Sequence, residues 1–204
     1  KMSIEFEVEV KIERLKQVGK LIIVCGLSGS GKTTLIREAL CKIDKVTYLK
    51  TFTTRKPRSE DEKANSIEYI FVSQEQYQIL KDRSQNWDHT DVYKDSYGAD
   101  IDESRMIMNS GKNLLVASPP NLEIVNDLKQ KYGSNTKVVL IDVSSQVTNG
   151  RLSLERNEIE QSRIEVDSKV NLDHTRQIAD LIFIPTMKLK EDVIQFCRII
   201  NQLI

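Results

Sequence analysis

Lys20-Leu-Ile-Ile-Val-Cys25 runs without a break into Gly26-Leu-Ser-Gly-Ser-Gly-Lys-Thr33, and beyond it Leu35, Ile36, Ala39, Leu40 and Ile43 fall at helical spacing. A short run that is apolar at every position suits a strand covered on both faces, as in a parallel sheet. Apolar residues three and four apart share one face of a helix, so the downstream stretch reads as amphipathic. The segment between them has the spacing G-x-x-x-x-G-K-T, and it sits where that motif requires, between a strand and a helix. Glycines let the backbone turn tightly enough to aim successive N–H groups inward, and the helix adds its positive N-terminal end. Such a nest suits phosphate. Its expected contacts are Gly26, Ser28, Gly29, Ser30, Gly31, Lys32, Thr33 and Thr34, with Lys32 reaching the β- and γ-phosphates and the Thr33 hydroxyl a ligand for Mg²⁺. The expectation is a site for a nucleoside triphosphate.

Outward from this stretch the same alternation continues. Leu114-Leu-Val-Ala117 and Lys137-Val-Val-Leu-Ile141 read as buried strands with a crossover helix, Leu122–Lys131, between them. Leu181-Ile-Phe-Ile184 reads as a last strand stopped by Pro185, and Glu191–Leu203 as a closing amphipathic helix. Strands alternating with helices predict an α/β fold, a central parallel sheet flanked by helices. Residues 51–100 break the pattern: they are polar, with a short apolar burst at Tyr69-Ile-Phe-Val72 and a helical stretch over Gln74–Lys81, and are expected to form a small insertion. The expected division is therefore a core of residues 19–50 and 101–204 around an insertion of residues 51–100. Ahead of it, in residues 1–18, Ile4–Ile12 alternates apolar and charged residues strictly and predicts an additional strand, at the edge of the sheet or added to a partner.

Composition narrows the function classes. The 204 residues carry 30 Lys+Arg and 30 Asp+Glu, so the net charge is zero and a broad basic surface for nucleic acid is excluded as the main binding device. The longest apolar run, Leu21–Cys25, falls far short of the roughly 20 residues that cross a bilayer. Cys25, Cys41 and Cys197 are odd in number and widely spaced, which argues against a disulfide framework or a zinc cluster and for buried thiols in a reducing compartment, hence the cytoplasm.

A P-loop does not by itself choose a reaction. Thr51-Phe-Thr-Thr-Arg-Lys-Pro-Arg58 places Arg55 and Arg58 around a stiffening proline, and each guanidinium offers a rigid fork of donors suited to an oxyanion. Taken alone, the segment also fits a solvated basic loop, and Tyr69 and Tyr97 also fit packing roles. In order, however, Gly26–Thr33, Thr53-Thr-Arg-Lys-Pro-Arg58, Glu68-Tyr-Ile-Phe-Val-Ser73 and Ser96-Tyr-Gly98 resemble the guanylate kinase family over residues 20–204. The resemblance implies a P-loop core, a nucleoside-monophosphate-binding insertion and a helical lid at about residues 149–165. It implies that Arg55, Arg58, Tyr69 and Tyr97 grip the acceptor's 5′-phosphate, and that Asp88 and Thr51 contact the guanine base. Arg151 and Arg156 then resemble lid arginines, and Arg163 one that bridges donor and acceptor phosphates. With Lys32 and Arg55 these form the expected catalytic set.

The implied activity is Mg²⁺- and ATP-dependent phosphorylation of GMP or dGMP, with small nucleotides as partners, in a monomer or homodimer. Three departures stand out. Ala99 replaces the hydroxyl residue that usually follows Tyr-Gly. Val116-Ala-Ser-Pro-Pro120 replaces a strand end with the pattern Asp-x-Asp, so both of those carboxylates are missing. The lid between Arg156 and Arg163 is short. Asp142, closing the apolar run Val138–Ile141, also has the placement of a Mg²⁺- or water-binding acid, whereas the family resemblance places it near the donor base. Two alternatives follow from the departures: a changed phosphorylated acceptor on the same fold, or a non-catalytic module that binds phospholigands in the same pocket.

Overall fold

The computed structural model describes residues 18–92, 94–152, 172–186 and 188–204. The strand expected at Ile4–Ile12 lies outside them, as do the lid arginines Arg156 and Arg163. In chain order the elements begin with β1 (Leu21–Cys25), α1 (Lys32–Lys42), β2 (Val46–Tyr48), β3 (Thr51–Thr53), α2 (Glu60–Asn65), β4 (Tyr69–Phe71), α3 (Gln74–Arg83), β5 (Trp87–Val92) and β6 (Asp95–Asp100). They continue with α4 (Ile101–Asn109), β7 (Asn113–Ser118), α5 (Leu122–Tyr132), β8 (Thr136–Ile141), α6 (Ser145–Leu152), α7 (Leu172–Ile178), β9 (Leu181–Phe183) and α8 (Leu189–Leu203).

The side chains of β1 are all fully buried, and their alternation builds two cores. Ile22 and Val24 pack with Leu35, Ile36 and Ala39 of α1 and with Val193, Phe196 and Ile200 of α8. Leu21, Ile23 and Cys25 pack on the opposite side with Met108 of α4 and Val125 and Leu128 of α5. Each buried aliphatic side chain contributes roughly 1.5–3 kcal/mol, so a strand that is apolar at every position is stable only where both faces are covered. The sheet around it is parallel throughout, in the order β2-β7-β1-β8-β9.

Residues 51–100 form a second, four-stranded sheet in the order β4-β3-β6-β5. β3 runs parallel to β4 and antiparallel to β6, and β5 and β6 make an antiparallel hairpin. Residues directly opposite one another share a face. The pairs Thr51–Tyr69, Thr53–Phe71, Thr53–Tyr97, Thr90–Tyr97 and Asp88–Ala99 therefore define one face. The other carries Phe52, Trp87, His89 and Gly98, and against it lies α3, which starts at a reciprocal Ser73–Gln76 capping box. There the Tyr77 hydroxyl donates to the Tyr97 carbonyl at 2.8 Å and accepts from Trp87 Nε1 at 3.1 Å. A Cβ on Gly98 would lie 2.4 Å from both Tyr77 Oη and Trp87 Nε1, so this close approach requires glycine.

Some sequence expectations needed adjustment. β2 and the β5–β6 hairpin carry no clear apolar period and are not expected from the sequence as separate elements; α4 buries Ile101, Ser104 and Met108 on one face, a pattern the sequence reading passes over. Cys25 is buried as expected, whereas Cys41 is exposed on α1 and Cys197 is half-buried. No helix among the described residues is long and apolar enough to cross a membrane.

Candidate active site

The glycine-rich segment leaves the carboxyl end of the central strand β1, the position at which open α/β sheets bind ligands. Gly29 and Gly31 have φ of 75° and 93°, a left-handed backbone that a side chain would strain. Gly31 leads straight into α1, and no side chain caps that end. Lys32 Nζ donates to the carbonyls of Gly26 at 2.7 Å and Leu27 at 2.9 Å, which holds the ammonium across the loop. Gly26 and Ser30 are buried, Ser28 and Gly29 are half-buried, and Thr34 is exposed. The Ser30 hydroxyl finds no hydrogen-bond partner among the described residues.

The Thr33 hydroxyl donates to Glu68 Oε1 at 2.6 Å. Among the described residues no group of three or more His, Cys, Asp or Glu forms a metal cage. A Mg²⁺ ion bound with a nucleotide needs no such cage, because phosphate oxygens and water fill most of its coordination sphere. A hydroxyl with a carboxylate beside it fits that role.

The four acceptor residues expected on strands all project from one face of the second sheet. Thr51 and Tyr69 are register partners, Tyr97 lies across β3, and the Tyr69 and Tyr97 rings are 5.8 Å apart. Asp88 is on the same face of β5. Burial pushes the Tyr69 and Tyr97 phenols above their ordinary range, so both keep their protons at neutral pH and remain donors. Beside them Arg55 is 5% exposed, its guanidinium 5.1 Å from the centre of the Tyr69 ring and 5.2 Å from that of Phe71.

Glu62 organises the two arginines. Arg55 Nη2 donates to Glu62 Oε1 at 2.7 Å, and the backbone N–H of Arg58 donates to Oε2 of the same carboxylate. Burial alone would raise Glu62, but these donors outweigh it and hold its carboxyl below the usual range. The exposed Arg58 thus meets Arg55 at one carboxylate through its backbone. Arg55 Nε is buried and finds no hydrogen-bond partner among the described residues.

Two other carboxylates are engaged. Lys131, from α5, bonds both Asp88 and Asp127. Asp142 accepts Arg176 Nε at 2.8 Å and Nη2 at 2.9 Å. This bidentate pair commits Asp142 to α7 and argues against its reading as a metal or water ligand. Arg151 lies in α6, with its side chain outside the described residues.

Sequence reasoning missed Glu62, Glu68, Lys131 and Arg176 as site-organising residues. Glu62 sits in the acidic run Glu60-Asp-Glu62, where no spacing sets it apart. Glu68 was visible only as the neighbour of Tyr69. Lys131 and Arg176 reach their partners across 43 and 34 residues of sequence, a separation no local pattern records.

A phosphate nest at the end of a central parallel strand, facing a separate sheet with an arginine–tyrosine cluster, defines a P-loop α/β protein built for nucleotides. The family model described as guanylate kinase matches residues 18–194, and the chain belongs to the guanylate kinase family. It is 28% identical to the guanylate kinase of Neisseria gonorrhoeae over 179 residues, covering 81% of this chain and 86% of that protein. It is 31% identical to the guanylate kinase of Oleidesulfovibrio alaskensis over 97 residues, but there the match spans only 48% of this chain and 46% of that protein. The crystal structure of guanylate kinase from Anaplasma phagocytophilum superposes with a TM-score of 0.67 at 16% identity, covering 92% of this chain and 87% of that one, a likeness of fold.

Proposed function

We propose that this protein transfers the γ-phosphoryl group of ATP to GMP or dGMP, giving the nucleoside diphosphate and ADP. The observation that carries this reading is the closeness of two anion receptors: Glu68 touches the P-loop hydroxyl of Thr33, and the next residue, Tyr69, belongs to the cluster around Arg55. A transferase needs donor and acceptor held together in this way, whereas a simple hydrolase or a binding module does not.

Positioning and charge neutralisation carry most of phosphoryl transfer. In this scheme the backbone of Gly26–Thr33 and the Lys32 ammonium hold the triphosphate of ATP. Arg55, Arg58 and the phenols of Tyr69 and Tyr97 present the acceptor phosphate in line. The Thr33 hydroxyl would hold Mg²⁺, which when bound would supply charge neutralisation at the transferred group. Thr51 and Asp88 read the base, since guanine offers N–H donors that a carboxylate accepts. Arg151, Arg156 and Arg163 close over the phosphates from a lid at about residues 149–165. The insertion of residues 51–100 is the acceptor domain and residues 19–50 and 101–204 the core. No general base is required, because the attacking phosphate oxygen is already anionic near neutral pH. Three unpaired thiols, Cys25, Cys41 and Cys197, agree with work in the reducing cytoplasm.

The test is ADP release with GMP, dGMP, AMP, CMP and UMP offered in turn. Turnover is expected with the guanine nucleotides and only with ATP and Mg²⁺ present, and Lys32→Ala is expected to lower kcat by about 10²–10³ while the protein stays folded. Nucleotide binding without turnover on any monophosphate would overturn the proposal in favour of a binding module.

A further inference from the structure

At the end of β7 the guanylate kinase pattern calls for Asp-x-Asp, and this chain has Val116-Ala-Ser-Pro-Pro120. The strand therefore brings no carboxylate to the P-loop. We infer that Glu68 supplies that carboxylate from a different element, positioning the Thr33 hydroxyl for Mg²⁺ and adding a negative charge beside the cation.

Three observations carry this. First, the hydrogen bond from Thr33 Oγ1 to Glu68 Oε1 is 2.6 Å long and links residues 35 positions apart. A hydroxyl that ligates a cation does so with a lone pair and must hand its proton to another acceptor. Glu68 is that acceptor, and its bond turns the lone pairs of Thr33 away from itself. Second, Glu68 lies close to Tyr48, which touches the end of β7. The Tyr48 hydroxyl at the end of β2 accepts the backbone N–H of Ala117 at 3.0 Å, and burial, helped by the nearby charge of Glu68, holds the Tyr48 phenol well above its ordinary range. Thr33, Glu68, Tyr48 and Ala117 thus gather at the carboxyl ends of β1, β2 and β7. Third, Glu68 is fixed by its backbone as well, its carbonyl accepting Thr51 N–H at 2.9 Å, so β3 and β4 present it to the loop in a set register.

Glu68 acts through Thr33, which makes it a positioning residue, and the inference rests on the P-loop reading of Thr33. The experiment is competition of ATP against a fluorescent ATP analogue on the full chain, once with Mn²⁺ and once in EDTA. Glu68→Gln keeps an acceptor but removes the charge. It is expected to weaken binding of Mn²⁺·ATP by about 10–100-fold, the usual effect of losing an outer partner of a metal ligand, and to leave metal-free ATP within about twofold. Adding Ala117→Asp to Glu68→Gln is expected to restore most of the Mn²⁺·ATP affinity. Trp87 fluorescence checks that each variant is folded, and Glu68→Asp, which retains the charge, is expected to stay within about threefold of wild type with Mn²⁺. Equal losses with and without metal in a folded Glu68→Gln protein would reduce Glu68 to a tether and overturn the inference. So would an unchanged Mn²⁺·ATP affinity, or no recovery with Ala117→Asp. A wild-type protein that binds no ATP under either condition would instead overturn the P-loop reading itself.

Discussion

Asp88 enters the site already paired. Lys131 reaches it from α5 and holds Asp127 at the same time, and although burial alone would lower the Lys131 ammonium, the two carboxylates hold it above its ordinary value. The pair holds Asp88 through Oδ1 on the face shared with Thr51 and Tyr97. In the proposed reading, Asp88→Asn replaces part of an acceptor by a donor that would meet the N–H groups of guanine with another N–H. It is expected to raise the KM for GMP by the equivalent of about 1–3 kcal/mol with a smaller change in kcat, measured by steady-state kinetics; an unchanged KM would remove Asp88 from the base contact. At this scale the sequence spoke unevenly. Residues whose chemistry follows from type and spacing, such as Lys32, Arg55 and Tyr69, were legible on their own or through the family resemblance. Residues that act by holding another side chain, such as Glu62 and Lys131, were not, because a surface acid and a surface lysine look the same in a sequence whatever they face.

Element by element, what could be read depended on how many faces are apolar. β1 announced itself because both faces are buried, and α1 because one face is. β5, with the sequence Trp-Asp-His-Thr-Asp-Val, did not: its Asp88 and Thr90 face the site and its Trp87 and His89 face α3, so polar groups stand on both sides. A strand that lines a polar cleft loses the apolar half of its alternation. The packing of α3 against this sheet hangs on Gly98. Gly98→Ala drives a methyl group into Tyr77 and Trp87, both locked by hydrogen bonds, and is expected to cost about 1–3 kcal/mol as other overpacked cores do. Trp87 is the single tryptophan of the chain, so denaturation followed by its fluorescence reads this sheet directly. A midpoint unchanged from wild type would mean that α3 shifts freely.

Across the whole molecule the parallel sheet lies between the two apolar cores, and Cys25 sits in its central strand. Burial pushes its thiol up to about 12 from an ordinary 9.0. The native state then holds this proton more tightly than the unfolded chain does. Its contribution is complete below pH 9.0 and fades as pH rises towards 12, so the melting temperature of wild type is expected to fall more steeply over that window than that of Cys25→Ala. Parallel slopes would show that other groups govern alkaline unfolding. The zero net charge of the chain has a further meaning once the acceptor cluster is in view. Glu62 already neutralises much of what Arg55 and the Arg58 backbone offer, and no general field draws anions in from a distance. In the proposed reading, sulfate or free inorganic phosphate therefore gains little by lodging there, and occupancy falls to an ester whose far end brings contacts of its own.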